Sequence, residues 1–168
     1  MLRRVLLAVL LIGFSTSSFA ATPSLFGDLL LGKNARHSAR SFGAPTASGH
    51  LLITVDITTQ EMVVADDRHT VFTFDVSTGR PGHATPTGNF RPIRMHEMWY
   101  SSKYENAPMP WSIFFYGGYA IHGTTDLKHL GQVASHGCVR LDPDNAKLLY
   151  DLVKEIGMQN TKVQLIRS

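Results

Sequence analysis

Ile113-Phe114-Phe115-Tyr116-Gly117-Gly118-Tyr119-Ala120-Ile121-His122 is the stretch that decides the fold. Two apolar runs rich in aromatic and β-branched residues flank a Gly-Gly pair. A two-residue type I′ turn needs positive φ at both central positions, which glycine adopts without steric cost. The stretch therefore reads as an antiparallel hairpin. A turn of that length sets Ile113 opposite His122, so the histidine closes the second strand at the rim of a sheet.

Upstream, more strands follow one another. Leu51-Leu52-Ile53-Thr54-Val55-Asp56-Ile57 is β-branched, Thr58-Thr59-Gln60 makes a turn, and Glu61 to Ala65 runs back. Asp66-Asp67-Arg68 turns the chain into Thr70–Val76. Three strands at this spacing predict an antiparallel sheet, and no strand–helix alternation points to a parallel one. Thr78 to Gly82 is a loop, Thr85-Pro86-Thr87-Gly88 a turn, and Phe90 to Ile93 resumes a strand. Met95 to Trp111 mixes Met, Trp and Tyr with polar residues and two prolines. It reads either as an irregular connection laying aromatics on the sheet or as a substrate-facing wall.

Downstream of His122, the loop Thr124–Ala134 returns the chain to Ser135-His136-Gly137-Cys138-Val139-Arg140. One helix follows, at about 143–156. Asp142 caps it, Pro143 suits its first turn, Ala146, Leu149, Leu152, Val153 and Ile156 recur at helical spacing, and Gly157 stops it. Thr161–Ile166 is a last strand. The fold class is mainly β, with this helix as the minor α component.

The first twenty residues have the form of a secretory signal: Arg3 and Arg4, an apolar run from Val5 to Phe14, and Ser18-Phe19-Ala20 as a cleavage site. Ten apolar residues are too few to span a bilayer, so no lasting membrane anchor is expected. Residues 21–49 form a leader and 50–168 the folded domain. Cleavage after Ala20 removes two of the sixteen basic residues and none of the thirteen acidic ones, leaving a net charge of +1. With no Lys/Arg cluster besides, nucleic acid is not an expected partner.

Export sharpens the meaning of Cys138, the single cysteine of the chain. Exported proteins use cysteines in pairs, and a lone thiol there is open to oxidation. It is either an inert buried residue or a nucleophile. Gly137 just before it lets backbone N–H groups approach an attacked carbonyl oxygen, and His122 and His136 can each take a proton. Three readings follow for these residues: cysteine acyl transfer, a metal site, or a non-catalytic domain binding cell-wall material. The His-x-Cys pair with one distant His lacks the paired spacing of structural zinc motifs, so neither metal nor other cofactor is expected.

Ile121-His122-Gly123-Thr124 followed by Ser135-His136-Gly137-Cys138-Val139-Arg140-Leu141 resembles the catalytic signature of the L,D-transpeptidases of the YkuD type. Thr85-Pro86-Thr87-Gly88-Asn89-Phe90, Ala107-Pro108-Met109-Pro110-Trp111 and Phe114–His122 are also similar to that family's pattern. The resemblance runs from about Leu51 to Ile166. It implies a β-sandwich or distorted barrel with the catalytic loop at its edge. It also implies an exported enzyme of the periplasm or cell-wall space that acts on peptidoglycan stem peptides as donor and acceptor. In that family a cysteine attacks the carbonyl of the third stem residue, a diamino acid, and expels the terminal D-alanine. The thioester then passes to an amine, giving a 3→3 cross-link, D-amino acid exchange or protein anchoring, or to water in a wall hydrolase. By position, Cys138 matches the nucleophile and His122 the base, oriented by a backbone carbonyl near Gly123. Ser135, His136 and Gly137 match the loop that shapes the oxyanion pocket. Arg140, Trp111, Tyr119 and Thr124 are the expected substrate contacts, with Arg140 alternatively a structural residue paired with Asp142 or Asp126, and carbapenem β-lactams are the expected inhibitors.

Overall fold

A computed structural model describes residues 49–168; the expected signal segment and residues 21–48 of the leader lie outside the described residues. Nine strands and one α-helix follow in chain order: β1 (Leu51–Asp56), β2 (Glu61–Ala65), β3 (Thr70–Asp75), β4 (Gly88–Phe90), β5 (Arg94–Ser101), β6 (Ala107–Tyr116), β7 (Tyr119–Gly123), β8 (Val139–Leu141), α1 (Pro143–Ile156) and β9 (Thr161–Ile166). They form a five-stranded sheet ordered β3-β2-β1-β9-β4 and a four-stranded sheet ordered β5-β6-β7-β8.

Alternation along the strands builds one core between these layers. Leu51, Ile53 and Val55 of β1 and Val163 and Leu165 of β9 point inward, as i, i+2 spacing dictates. They meet Ile113, Ile121, Val139 and Leu141 of the second sheet and the apolar stripe of α1. The opposite face of the second sheet carries its own small cluster: Met109, Phe114 and Ala120, with Trp99 and Cys138 packed against it. The mainly β architecture is thus as the sequence implies. Helix α1 has the bounds and caps expected: the Asp142 side chain accepts from the Asp144 N–H, and Gly157 ends it at φ +94.

Four expectations are corrected. The sheets are mixed: β1 pairs parallel with β9 (Leu51 opposite Thr161) and β7 parallel with β8 (Ile121 opposite Val139). Parallel pairing needs a crossover of about a dozen residues, which the 124–138 loop supplies without a full helix. The hairpin register is also shifted, and its turn has positive φ at Gly117 but not at Gly118, so it is not the expected type I′. Tyr116 faces Tyr119, Phe114 faces Ala120 and Ile113 faces Ile121, with an irregularity between Phe114 and Tyr116. One extra residue in β6 is a bulge, and it takes His122 away from Ile113. His122 lies opposite Arg140 of β8 and is 6% exposed, inside the sheet rather than at its rim.

The third correction concerns the irregular-connection reading of Met95–Trp111, most of which is a strand hairpin. β5 and β6 pair from Arg94↔Phe114 to Ser101↔Ala107. Pro108 and Pro110 hid this strand; they lie where β6 has run past β7, so no N–H is missed on that side. Lastly, β4 ends at Phe90, and Pro92 lies outside any strand.

Leu149 of α1 is fully buried among both sheets. Leu149→Ala should lower the unfolding free energy by about 2–5 kcal/mol, the cost of an aliphatic core truncation, read from chemical denaturation.

Candidate active site

Parallel pairing brings the sequence-predicted residues together. Neighbours across a ladder project to the same face, so Ile121↔Val139 point into the core while His122↔Arg140 point away from it. Cys138, two residues before Arg140, shares that outer face. His122, Cys138, Arg140, Thr124 and His136 all line one cleft of about 810 Å³. Its floor is Phe114 and Met109, and the tip of the β5–β6 hairpin overhangs it through Lys103, Tyr104 and Glu105.

The loop carrying the thiol is held by hydrogen bonds from three sides. Ser135 Oγ accepts from the Gly137 N–H (2.9 Å) and donates to the Cys138 carbonyl (2.6 Å). Thr85 Oγ1 donates to the Gly137 carbonyl (2.9 Å) and accepts from the Gly79 N–H (2.8 Å). The Ala134 and Ser135 N–H groups both donate to the Thr78 carbonyl, and Ser77 and Arg140 exchange two backbone bonds. Thr78 is fixed in turn by buried Gln60, whose amide accepts from the Thr78 N–H (2.8 Å) and donates to its Oγ1 (2.6 Å). Gly137 adopts φ +111, and a Cβ there would stand 2.6 Å from the Tyr119 ring, so two independent constraints demand glycine.

The two histidines differ in what their ring nitrogens do. His122 Nδ1 donates to the Gly123 carbonyl at 2.8 Å, because a carbonyl can only accept. Its Nε2 is thereby left with the lone pair. His136 Nε2 accepts from the Arg80 guanidinium at 2.7 Å, so its lone pair is already engaged. The His136 ring stacks on Tyr104 (4.4 Å) and meets His83 edge-on (4.8 Å). Arg140 lines the cleft, yet also pairs with Asp126 at 3.7 Å, which His129 grips at 2.7 Å. The structural pairing expected with Asp126 is thus present, and the side chain also lines the cleft.

Two expected substrate contacts lie elsewhere. The Trp111 ring packs against Tyr150 of α1 and beneath Lys147, and Trp111 does not line the cleft. Its φ of +56 interrupts β6 and turns the side chain to the helix. Tyr119 likewise does not line the cleft; it backs Gly137 and stacks near Tyr116. Sequence reasoning missed Thr85, Gln60 and Arg80 as braces and Arg94 in the cleft. Thr85 was within reach, since it opens a stretch that matches the family pattern. Among the described residues no group of three or more His, Cys, Asp or Glu converges to hold a metal ion.

The model of the L,D-transpeptidase catalytic domain matches residues 51–165. The chain belongs to the L,D-transpeptidase family. The Bacillus subtilis (strain 168) protein YciB, whose own name assigns it to these enzymes only provisionally, is 30% identical over 122 residues, 63% of this chain and 62% of YciB. An L,D-transpeptidase from Stackebrandtia nassauensis superposes with a TM-score of 0.62 at 27% identity, covering 80% of this chain and 61% of that one. The L,D-transpeptidase LdtMt1, solved in complex with imipenem, gives 0.63 at 20% identity over 70% and 59%. The chain thus spans under two thirds of the length of each of these relatives.

In this L,D-transpeptidase domain both candidate reactive groups rest uncharged. Burial lowers the His122 pKa from 6.5 to about 4, with the nearby Arg140 charge adding to it and the Gly123 hydrogen bond opposing. Burial pushes the Cys138 thiol up, against the Ala120 backbone hydrogen bond and Arg140, which pull it down. Both directions favour the neutral thiol and neutral imidazole over the thiolate–imidazolium pair. Iodoacetamide alkylation of Cys138 should therefore keep rising with pH through neutrality, without levelling off there as a preformed thiolate would.

His122 also ties stability to pH. The unfolded chain protonates it near pH 6.5 and the folded protein only near 4, so unfolding takes up a proton in that interval. Stability present above pH 6.5 should decline as pH falls towards 4. In denaturation midpoints measured across that window, His122→Gln should show a shallower decline than the wild type.

Proposed function

We propose that the protein is a cysteine acyltransferase of peptidoglycan stem peptides. The observation that carries this reading is the pairing of β7 with β8. His122, oriented through Nδ1 with Nε2 unengaged, and Cys138 line the same cleft from these neighbouring strands, which supports reading them as base and nucleophile. Cys138 Sγ attacks the carbonyl of the third stem residue while His122 Nε2 takes the thiol proton. The tetrahedral intermediate collapses by breaking the bond to the terminal D-alanine, whose amine receives that proton from His122. An acceptor amine then attacks the thioester, its proton returns through His122, and Cys138 is released as thiol.

Ser135 and Gly137 serve this step as positioning residues. The Gly137 N–H is committed to Ser135 Oγ, so it fixes the loop instead of contacting the oxyanion. Arg140, held by Asp126, adds positive charge beside the developing anion. The signal-like first twenty residues support action in the periplasm or cell-wall space. The imipenem complex of LdtMt1 supports acylation of Cys138 by carbapenems as well.

Incubation of the protein with tetrapeptide muropeptides should release D-alanine and yield 3→3 dimers by mass spectrometry, and imipenem should add its mass to the wild type. Cys138→Ala should do neither while keeping its melting temperature. Tripeptides as the only product would replace transfer by hydrolysis through the same thioester. Turnover in Cys138→Ala would end the nucleophile assignment.

A further inference from the structure

Arg94 has no part in the chemistry described so far. It begins β5, the edge strand of the second sheet, and lines the cleft. Its guanidinium carbon lies 3.9 Å from the centroid of the Phe114 ring and 5.5 Å from that of Trp99. No carboxylate among the described residues pairs with it; Glu97, three residues on, reaches Lys154 instead. Stacking on an aromatic floor restrains a guanidinium and leaves its in-plane N–H fork free for a planar oxyanion. The side chain is preorganised and lacks the partner that fork is built for.

Strand register measures how far this charge stands from the thiol. Arg94 pairs with Phe114 and Phe114 with Ala120. Extending the β7–β8 register by one residue sets Ala120 opposite Cys138. Arg94 and Cys138 thus end one cross-strand row on the same face, three strand spacings or about 14 Å apart. By reaching back over Phe114, the guanidinium comes to about 10 Å from the sulfur's strand. The cleft wall carries Arg94, Lys103 and Arg140 against a single carboxylate, Glu105. Arg140 is beside the thiol and already shares Asp126, whereas Arg94 is one side-chain length away from it.

We propose that Arg94 is a specificity-determining residue that binds a side-chain carboxylate of the acyl donor, a group set several bonds from the attacked carbonyl. This rests on the stem-peptide reading above: the attacked third residue is a diamino acid, and its long side chain can end in a free or an amidated carboxylate. Arg94 makes the cleft select the free acid.

The test measures binding apart from turnover. Calorimetry with Cys138→Ala would compare two stem tetrapeptides containing diaminopimelate, one with the distal carboxylate free and one with it amidated. The free acid should bind about tenfold tighter or better, as expected for a charged hydrogen-bond pair. In that background, adding Arg94→Gln should erase the preference and leave the amide's affinity unchanged, and Arg94→Gln with Cys138 intact should be alkylated by iodoacetamide at the wild-type rate. Adding Lys103→Ala should preserve the preference. Equal binding of the two peptides, no binding of either, equal losses for both in Arg94→Gln, or loss of the preference through Lys103→Ala would each overturn the assignment. A retained acid preference in a protein that forms no thioester would instead sink the acyl-transfer reading and leave Arg94 as the carboxylate site.

Discussion

Three rungs of parallel ladder between β7 and β8 govern this site. They decide which side of the sheet each residue of two short motifs occupies. With Ile121 against Val139, the apolar partners face the core and the polar ones face the cleft. A slip of one residue would bury Cys138 and Arg140 and turn Val139 outward. Strands this short cannot secure that register by their own hydrogen bonds. The remainder comes from the Ser77–Arg140 exchange, the bonds onto Thr78, and the Thr85 clamp on Gly137. The geometry of the cleft is therefore maintained largely by residues that do not line it.

The same arrangement sets the electrostatics. A thiol beside a positive charge invites the expectation of a stable thiolate, and Arg140 does pull in that direction. Burial outweighs it for both groups. His122 is sunk in the sheet, where an imidazolium would be poorly solvated, and Cys138 lies against an apolar cluster. Both shifts favour the uncharged forms, and a protonated thiol oxidises more slowly than a thiolate. The tautomer of His122, set by the Gly123 carbonyl, points the required lone pair away from the backbone.

Local signals in the sequence were legible and long-range ones were not. The Gly-Gly turn, the Asp142 cap with Pro143 behind it, and the alternation of β1 each act within a few residues, and each appears in the fold. The motif around Cys138 pointed to the L,D-transpeptidase family, which the match over residues 51–165 shows. The parallel partners of β1 and β7 lie far along the chain or across an irregular loop, and nothing in either strand names its neighbour. The bulge that displaced His122 from Ile113 left no mark either: Phe115 looks like any other apolar residue of β6. Gln60 was read only as a turn residue, since its bonds to Thr78 exist only once β3 has brought the following segment back.

Trp111 shows how one backbone irregularity serves both faces of a sheet. Strict alternation along β6 would send Met109 and Phe114, five residues apart, to opposite sides. Both instead belong to the cleft floor, and the residue between them with φ +56 is Trp111. A bulky side chain in the left-handed region costs about 1–2 kcal/mol, so its contacts must hold it there. They do so from the far side, through the Tyr150 ring and the Lys147 ammonium of α1. The helix that completes the main core thereby holds the kink that puts Met109 under the substrate cleft. Trp111 was expected to touch substrate directly; its influence on the cleft passes through the phase of β6, and a smaller residue there would release the strand from the helix before it removed any wall of the site.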